Sequence, residues 1–402
     1  MKKIVILGAG FAGLRALHFL QAHKGDYHIT LVDRNSYHYE TIDLEEVAAG
    51  TQPKEKILYP IKDIIKSSIT TFIQAKVEKV NRKKQEVELS NKQTLTYDYL
   101  IISLGFRSET FGIPGAEKNA LQMVDPDTAV SVHDHLIASM KDYKKTKDLN
   151  DLKIVVCGAG FTGIELLGQL NDARTDLAKY AEVSPDEIKI YVVEAVTRVL
   201  PQFSKGLADY GVSQLKKWGI HFLTGKPIKE IKPNTVIYQD NAKTGGTKEL
   251  KANSIIWTTG VSGSKVIENS GFSQHRGRVM VKNNLQDPDY NNIYIIGDCS
   301  AVMDSASNRP YPTTAQIAIK MGEVAAKNLL AQLSGKETTD FKYNSRGTIA
   351  SIGNTHAFGT VGKKELRGLA ASIMKKVSLD KSLTDTGGRK ALFAKGRFDL
   401  YH

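Results

Sequence analysis

A chain of 402 residues with 41% hydrophobic and 24% charged side chains has the make-up of an ordinary globular protein, and its length predicts two or three domains. It contains no apolar run near the roughly 20 residues that span a bilayer, and the first strand pattern begins at Lys2, so neither a membrane span nor a secretory leader is expected. Two cysteines exclude a disulfide framework, a zinc site and a C-x-x-C redox pair, and the formal charge of +12 favours anionic surfaces.

The first element, IVILGAGFAG at residues 4–13, is a β-branched run that breaks into G-x-G-x-x-G, the pattern of a buried parallel strand turning into a helix. Gly8 permits the tight turn, Gly10 lets the backbone approach a pyrophosphate, and Gly13 lets the helix lie close to the strand. Asp33 closes the next strand after ITLV, where a carboxylate can accept from ribose hydroxyls. YDYLIISLGF, residues 97–106, is a return strand ending near Gly105.

The whole pattern then recurs. IVVCGAGFTG at residues 154–163 supplies Gly158, Gly160 and Gly163, a helix runs on through about Tyr180, and Glu194 closes the strand after IKIYVV. NSIIWTTGVSG, residues 253–263, repeats the return strand with Gly260. Two fingerprints predict two adenine dinucleotides held together, the arrangement needed to pass a hydride between them. Both cysteines, Cys157 and Cys299, lie in these segments and read as small buried residues, so electrons cannot pass through a cysteine pair.

A third apolar strand, NNIYIIGDCSA at residues 291–301, ends in Gly297 and Asp298; before a helix, Asp298 can accept hydrogen bonds from a sugar-alcohol chain such as the ribityl of FAD. These elements interleave. Residues 1–111 and 266–333 form one nucleotide-binding domain, residues 112–265 a second inserted in it, and SGKETTD at 334–340 connects to a C-terminal region, residues 334–402. PTTAQIAIKMG, residues 312–322, reads as a helix with Pro312 in its first turn. From Lys363 to Arg397 ten Lys or Arg stand against three acids, a surplus of seven. Leu366, Leu369, Ala370, Ile373, Met374 and Val377 recur there at helical spacing, the pattern of a basic amphipathic helix lying in an anionic membrane interface. No nucleic-acid-binding signature accompanies the charge, so nucleic acid is not an expected partner. The fold class is therefore α/β, two interleaved Rossmann-like dinucleotide-binding domains plus a C-terminal amphipathic membrane-association region.

In this order GAGFAG, Asp33, NSYHYE, LGF with FGIPG, GAGFTGIE, EAVTRVLP, WTTGV, IGDCSA and TTAQIA resemble the type II NADH dehydrogenases, single-subunit NADH:quinone oxidoreductases, along essentially the whole chain. The resemblance implies non-covalent FAD on the first fingerprint with Asp33, Gly105, Gly297, Asp298 and Ala315, and NADH on the second, with Glu194 and Gly260. It implies a proton-handling role for Glu165, read as lying in the first turn of its helix, and a quinone site of Gln316, Lys320, Lys376 and Leu379. Lys320 departs from the family, which usually has glutamine there; an ammonium only donates where an amide also accepts. Tyr37, His38 and Tyr39 match a family segment but read on their own as loop and packing residues. The implied activity is hydride transfer from NADH to FAD and then reduction of a membrane quinone, of the menaquinone type, without ion pumping, at the cytoplasmic face of the cell membrane, by a peripheral protein that forms a homodimer. Two other readings share the fingerprints: a soluble NAD(P)H-dependent reductase of an iron–sulfur protein, and a non-enzymatic flavin- and NAD-binding redox sensor.

Overall fold

Each glycine fingerprint is the centre of its own parallel sheet. In the computed structural model, which describes residues 1–240 and 245–397, the first sheet runs Ile293–Ile295, Tyr99–Ile102, Lys2–Leu7, Tyr27–Asp33, Thr70–Gln74. The second runs Leu121–Gln122, Ser254–Trp257, Lys153–Cys157, Lys189–Glu194, Ile220–Thr224. The fingerprint strands are continuous apolar runs because both faces of these sheets are covered. Ile4 registers with Ile29 on one side and Tyr99 on the other; Ile154 registers with Ile190 and Ser254 in the same way.

The duplication extends beyond the fingerprints. In each half an antiparallel three-stranded sheet, built within residues 77–96 or 228–251, precedes the return strand. A short antiparallel pair, Arg107–Ser108 with Val261–Ser262, ties the two halves where the chain crosses between them.

The C-terminal region differs from the sequence reading at its start. Gly347–Ser351, Ala357–Val361 and Lys364–Arg367 form an antiparallel sheet, so Leu366 is a strand residue rather than the first member of a helical stripe. The long helix, Gly368–Lys395, breaks at Gly388, whose φ of 73° lies in the left-handed region. Its body-facing side buries Ala371, Lys376, Leu379, Leu383, Thr386 and Ala391, while Leu369 and Val377 remain exposed. The last five residues assigned to this region, 398–402, lie outside the described residues.

Three local readings are corrected. The helix holding Gln316 begins at Ala315, capped by the Thr314 hydroxyl, so Pro312 precedes its first turn. Glu165 is the fifth residue of the helix Phe161–Ala181 and lies just past its first turn. Asp298 sits in a 3₁₀ turn, Gly297–Cys299, that leads into short strands; the helix follows only at Ala315.

The helices Phe11–Gln21 and Ala315–Leu333 approach so closely that a Cβ on Gly322 would stand 2.2 Å from the Ala12 carbonyl oxygen. Gly322→Val is expected to destabilise the protein by about 1–3 kcal/mol through overpacking, read as a lower thermal midpoint than wild type; an unchanged midpoint would show that the helices separate freely.

Candidate active site

The two fingerprint turns are built alike. At Gly8, φ 98°, and Gly158, φ 104°, the chain takes a conformation that L side chains rarely adopt, and a Cβ on Gly13 or Gly163 would strike the carbonyl oxygen of Gly8 or Gly158 at 1.9 or 2.0 Å. Gly10 and Gly160 have nothing within 4 Å of an added Cβ, which leaves open backbone at the helix N-terminus for a phosphate. The closing acids hold each loop: Ala9 N–H donates to Asp33 Oδ2 at 2.6 Å, and Ala159 N–H to Glu194 Oε2 at 2.7 Å. Burial pushes the Asp33 carboxyl up, although the Ala9 and Asn35 amides pull it back.

A second clamp was missed in the sequence. Ser103 Oγ donates to the carbonyls of Leu7 and Gly8, and Thr258 Oγ1 to those of Cys157 and Gly158, at 2.8–3.2 Å. Each hydroxyl stands two residues before the return-strand glycine, Gly105 or Gly260, a regularity visible in the duplication.

A cavity of about 1580 Å³ starts at the first turn. Gly8, Gly10, Asp33, Gly105, Gly297, Asp298, Ala315 and Gln316 all line it, with Gly13 packed behind the turn. The Asp298 carboxyl faces this space, raised by burial against the pull of Arg278, and accepts no hydrogen bond from another described residue. An open glycine cradle, a ribose acid and an unpaired carboxylate fit a flavin dinucleotide. Gly158, Gly160, Gly163, Glu194 and Gly260 lie outside the cavity wall, but Phe161, Thr162 and Glu165 belong to it, so the second nucleotide turn reaches the first site where its helix starts.

The same cavity continues to the C-terminal helix, where Leu379 and Lys375 line it. Lys376 does not: it is buried, and its charge acts on Glu46. Its neighbour takes the expected place, with Lys375 Nζ 2.7 Å from Glu165 Oε1. Glu165 also accepts from the Ser351 amide at 2.9 Å and the Ser351 hydroxyl at 3.1 Å. Burial pushes the Lys375 ammonium down, but Glu165, Glu45 and Asp43 together raise it.

Gln316 is oriented by Tyr343, whose hydroxyl donates to Gln316 Oε1 at 2.7 Å and leaves the amide N–H groups for a ligand oxygen. Lys320 lines the cavity, but its ammonium is 3.3 Å from Glu323, which also pairs with Arg15 and Lys327. Burial pushes the Glu323 carboxyl up, yet bonds from Lys327 and Arg15 and the Lys320 charge hold it at about 2. Lys320 is therefore half-compensated rather than a bare cation. His38 is also a wall residue: it is buried, and its Nδ1–H donates to the Ala9 carbonyl at 2.7 Å, closing the NSYHYE segment over the first turn. Tyr37 and Tyr39 line the cavity beside it.

Both cysteines are buried, and burial pushes the Cys299 thiol up to about 12, so neither supplies a thiolate. Among the described residues there is no His, Cys, Asp and Glu cluster able to hold a metal ion.

Residues 2–322 match the family described as pyridine nucleotide-disulphide oxidoreductase. Along 99% of both chains, this sequence is 39% identical to type II NADH:quinone oxidoreductases of Staphylococcus aureus, from strains MSSA476 and NCTC 8325 / PS 47. Its fold superimposes on NDH2 from Plasmodium falciparum, solved in complex with NADH, with TM-score 0.86 and 20% identity, covering 98% of this chain and 97% of that one. A sulfide:quinone oxidoreductase from Aquifex aeolicus shares the fold with TM-score 0.77 and 21% identity, covering 100% and 96%.

Removing the cation from the buried pair has a predictable sign. In Lys375→Met the Glu165 carboxylate keeps its two Ser351 hydrogen bonds but loses its cation in a buried site, which is destabilising. The variant is expected to lose about 3 kcal/mol near neutrality, read as a lower thermal midpoint than wild type; an unchanged midpoint would remove the ion pair from the account.

Proposed function

The chain belongs to the pyridine nucleotide-disulphide oxidoreductase family and to its type II NADH:quinone oxidoreductases, and from that premise we propose how its residues divide the work. The activity is NADH:quinone oxidoreduction with FAD as cofactor. Bound FAD would supply the redox chemistry between NADH and a quinone, and the residues of this chain supply binding, orientation and proton handling. The observation that carries the residue assignment is the single cavity running from the Gly8 turn and Asp298 past Gln316 to the Glu165–Lys375 pair.

Gly8, Gly10, Gly13, Asp33, Gly105, Gly297, Asp298 and Ala315 hold the flavin dinucleotide, Asp298 at its sugar-alcohol chain. Gly158, Gly160, Gly163 and Gly260 shape the NADH side, and Glu194 takes the ribose hydroxyls and repels a 2′-phosphate. Gln316, aimed by Tyr343, donates to a quinone oxygen, Leu379 gives the quinone an apolar wall, and Glu165 supplies a proton. Lys375 takes the role first read at Lys376, and Lys320 tunes the opening through Glu323. The interleaved boundaries, 1–111 with 266–333 around 112–265, belong to the same reading.

No described helix is long and apolar enough to cross a membrane. We place the protein peripherally at the cytoplasmic face, uncoupled from ion pumping, with residues 334–402 as the lipid-facing region. Leu369, Val377 and Phe393, 43%, 51% and 76% exposed, support this; they stand on a helix whose flanks carry the basic surplus. A menaquinone-type acceptor and a homodimer complete the proposal; comparing menaquinone with ubiquinone analogues, and sedimentation of the purified protein, check them.

Anaerobic stopped-flow absorbance tests the assignment. NADH is expected to bleach the flavin far faster than NADPH, and a quinone analogue to restore it; bleaching without reoxidation by any quinone would reject the acceptor. Glu194→Ala should raise the KM for NADH about tenfold, the loss of about 1.4 kcal/mol of binding, and narrow the preference over NADPH. For the lipid surface, Leu369→Asp with Phe393→Asp is expected to weaken cosedimentation with anionic vesicles about tenfold or more. Equal cosedimentation would place the contact elsewhere.

A further inference from the structure

Behind the Glu165–Lys375 pair lies a buried charged cluster that hydride transfer does not use. Glu40, Asp43, Glu45, Glu46 and Glu165 are each no more than 8% exposed. They face Lys375 and Lys376 from the C-terminal helix and Arg397 beyond it, and His38 stands 3.5 Å from Glu40. Five carboxyl groups against three cations cannot all be charged in a dry interior without a heavy penalty, so the cluster holds protons near neutral pH.

Hydrogen bonding shows where. Arg397 donates to both oxygens of Glu46 at 2.9 Å, and Glu165 takes Lys375 and Ser351, which fixes those two as carboxylates. Glu45 accepts no side-chain hydrogen bond from another described residue, is 4% exposed, and lines the large cavity alongside Glu165. Its short helix, Leu44–Ala49, packs against the helix of Glu165, and the two carboxyls repel each other. On the far side, Asp43, Glu46, Glu40 and Arg397 wall a cavity of about 20 Å³, room for one water, that reaches the exposed Lys56.

We propose that Glu45 is a neutral carboxylic acid in the resting protein and the proton donor that loads the Glu165 carboxylate during quinone reduction, itself refilled from solvent through Asp43, Glu46 and the small cavity they wall. The inference rests on the quinone reading above. Quinone becomes quinol by taking two electrons, supplied by the NADH reaction, and two protons. For each proton, Glu45 first gives its proton to the resting Glu165 carboxylate, and that new O–H bond then breaks as an O–H bond forms on a quinone oxygen. The Glu45 carboxylate then takes a proton from solvent, and a second round of the same transfers delivers the second proton of the quinol. Lys375, 2.7 Å from Glu165, stabilises whichever of the two carboxyls is charged. The residue arrangement thus makes Glu45 a second proton station one helix away from the reacting oxygen.

Infrared spectroscopy of the oxidised holoprotein tests the resting state directly. Wild type is expected to show a protonated-carboxyl C=O band that persists through neutral pH and is absent in Glu45→Gln. Burial and the Glu165 charge hold the Glu45 carboxyl well above the carboxylate range, so wild-type stability falls as pH rises through that raised value. Glu45→Gln, which cannot ionise, should melt no lower than wild type above neutral pH. In stopped flow, reoxidation by a menaquinone analogue should slow at least tenfold in Glu45→Gln and lose the alkaline limb of its pH profile. Identical infrared spectra, or a Glu45→Gln midpoint several degrees lower at alkaline pH, would show Glu45 to be an ionised partner of Lys375 and overturn the proposal. Fast wild-type reoxidation with an unchanged rate and pH profile in Glu45→Gln would overturn the relay alone. A wild-type flavin that no quinone reoxidises would overturn the acceptor reading and the relay together.

Discussion

The contact between Glu165 and Lys375 is where the parts of this protein meet. Glu165 belongs to the second fingerprint helix, Lys375 to the C-terminal helix, and the Ser351 that completes the carboxylate's hydrogen bonds to the antiparallel sheet between them. A buried ion pair contributes little net stability by itself, but breaking one is costly. Its value here is positional: it fixes the C-terminal helix over the open end of the flavin cavity and sets a carboxylate within that cavity. Arg15 repeats the device on the other flank, joining Glu323 at 3.0 Å and Asp385 at 3.7 Å, and so ties the first fingerprint helix, the Gln316 helix and the C-terminal helix together.

The duplicated architecture supplies what those pairs align. Two sheets that share the order of four strands, with the same glycine turn, closing acid and hydroxyl clamp, present two helix N-termini, one inside the cavity and one whose first residues only touch its wall. A hydride donor can then dock on the second turn while an acceptor approaches along the C-terminal helix, each by its own path. Phe11, Phe161 and Ile317 line the same cavity and give it apolar surface that disfavours water.

The nucleotide turns were legible in the sequence because all their determinants are local: Gly8, Gly10, Gly13 and Asp33 lie within one strand–helix–strand unit, as do Gly158, Gly160, Gly163 and Glu194. Periodicity also found the exposed apolar positions Leu369, Ala370 and Val377, because helical spacing marks a face. It did not say what the opposite face covers, and that decided Lys375 against Lys376: one residue is about 100° of helix, enough to turn a side chain from the cavity to the interior. The strands before that helix escaped notice because they are short and mostly half-exposed, without clean alternation. Glu45 and Tyr343 escaped for another reason: their roles arise from partners far away in sequence, and no local pattern marks them, while His38, noticed in NSYHYE, read only as a loop and packing residue.

Separate approaches for donor and acceptor to one flavin site form the central claim, and photolabelling tests it most directly. A photoreactive quinone analogue on the holoprotein, mapped by peptide mass spectrometry, should mark Met374 to Ser382 and the Gln316 segment, with labelling undiminished by saturating NAD⁺. Labelling that NAD⁺ abolishes, or that falls on the strand end at Glu194, would mean that both substrates use one door and would contradict the account.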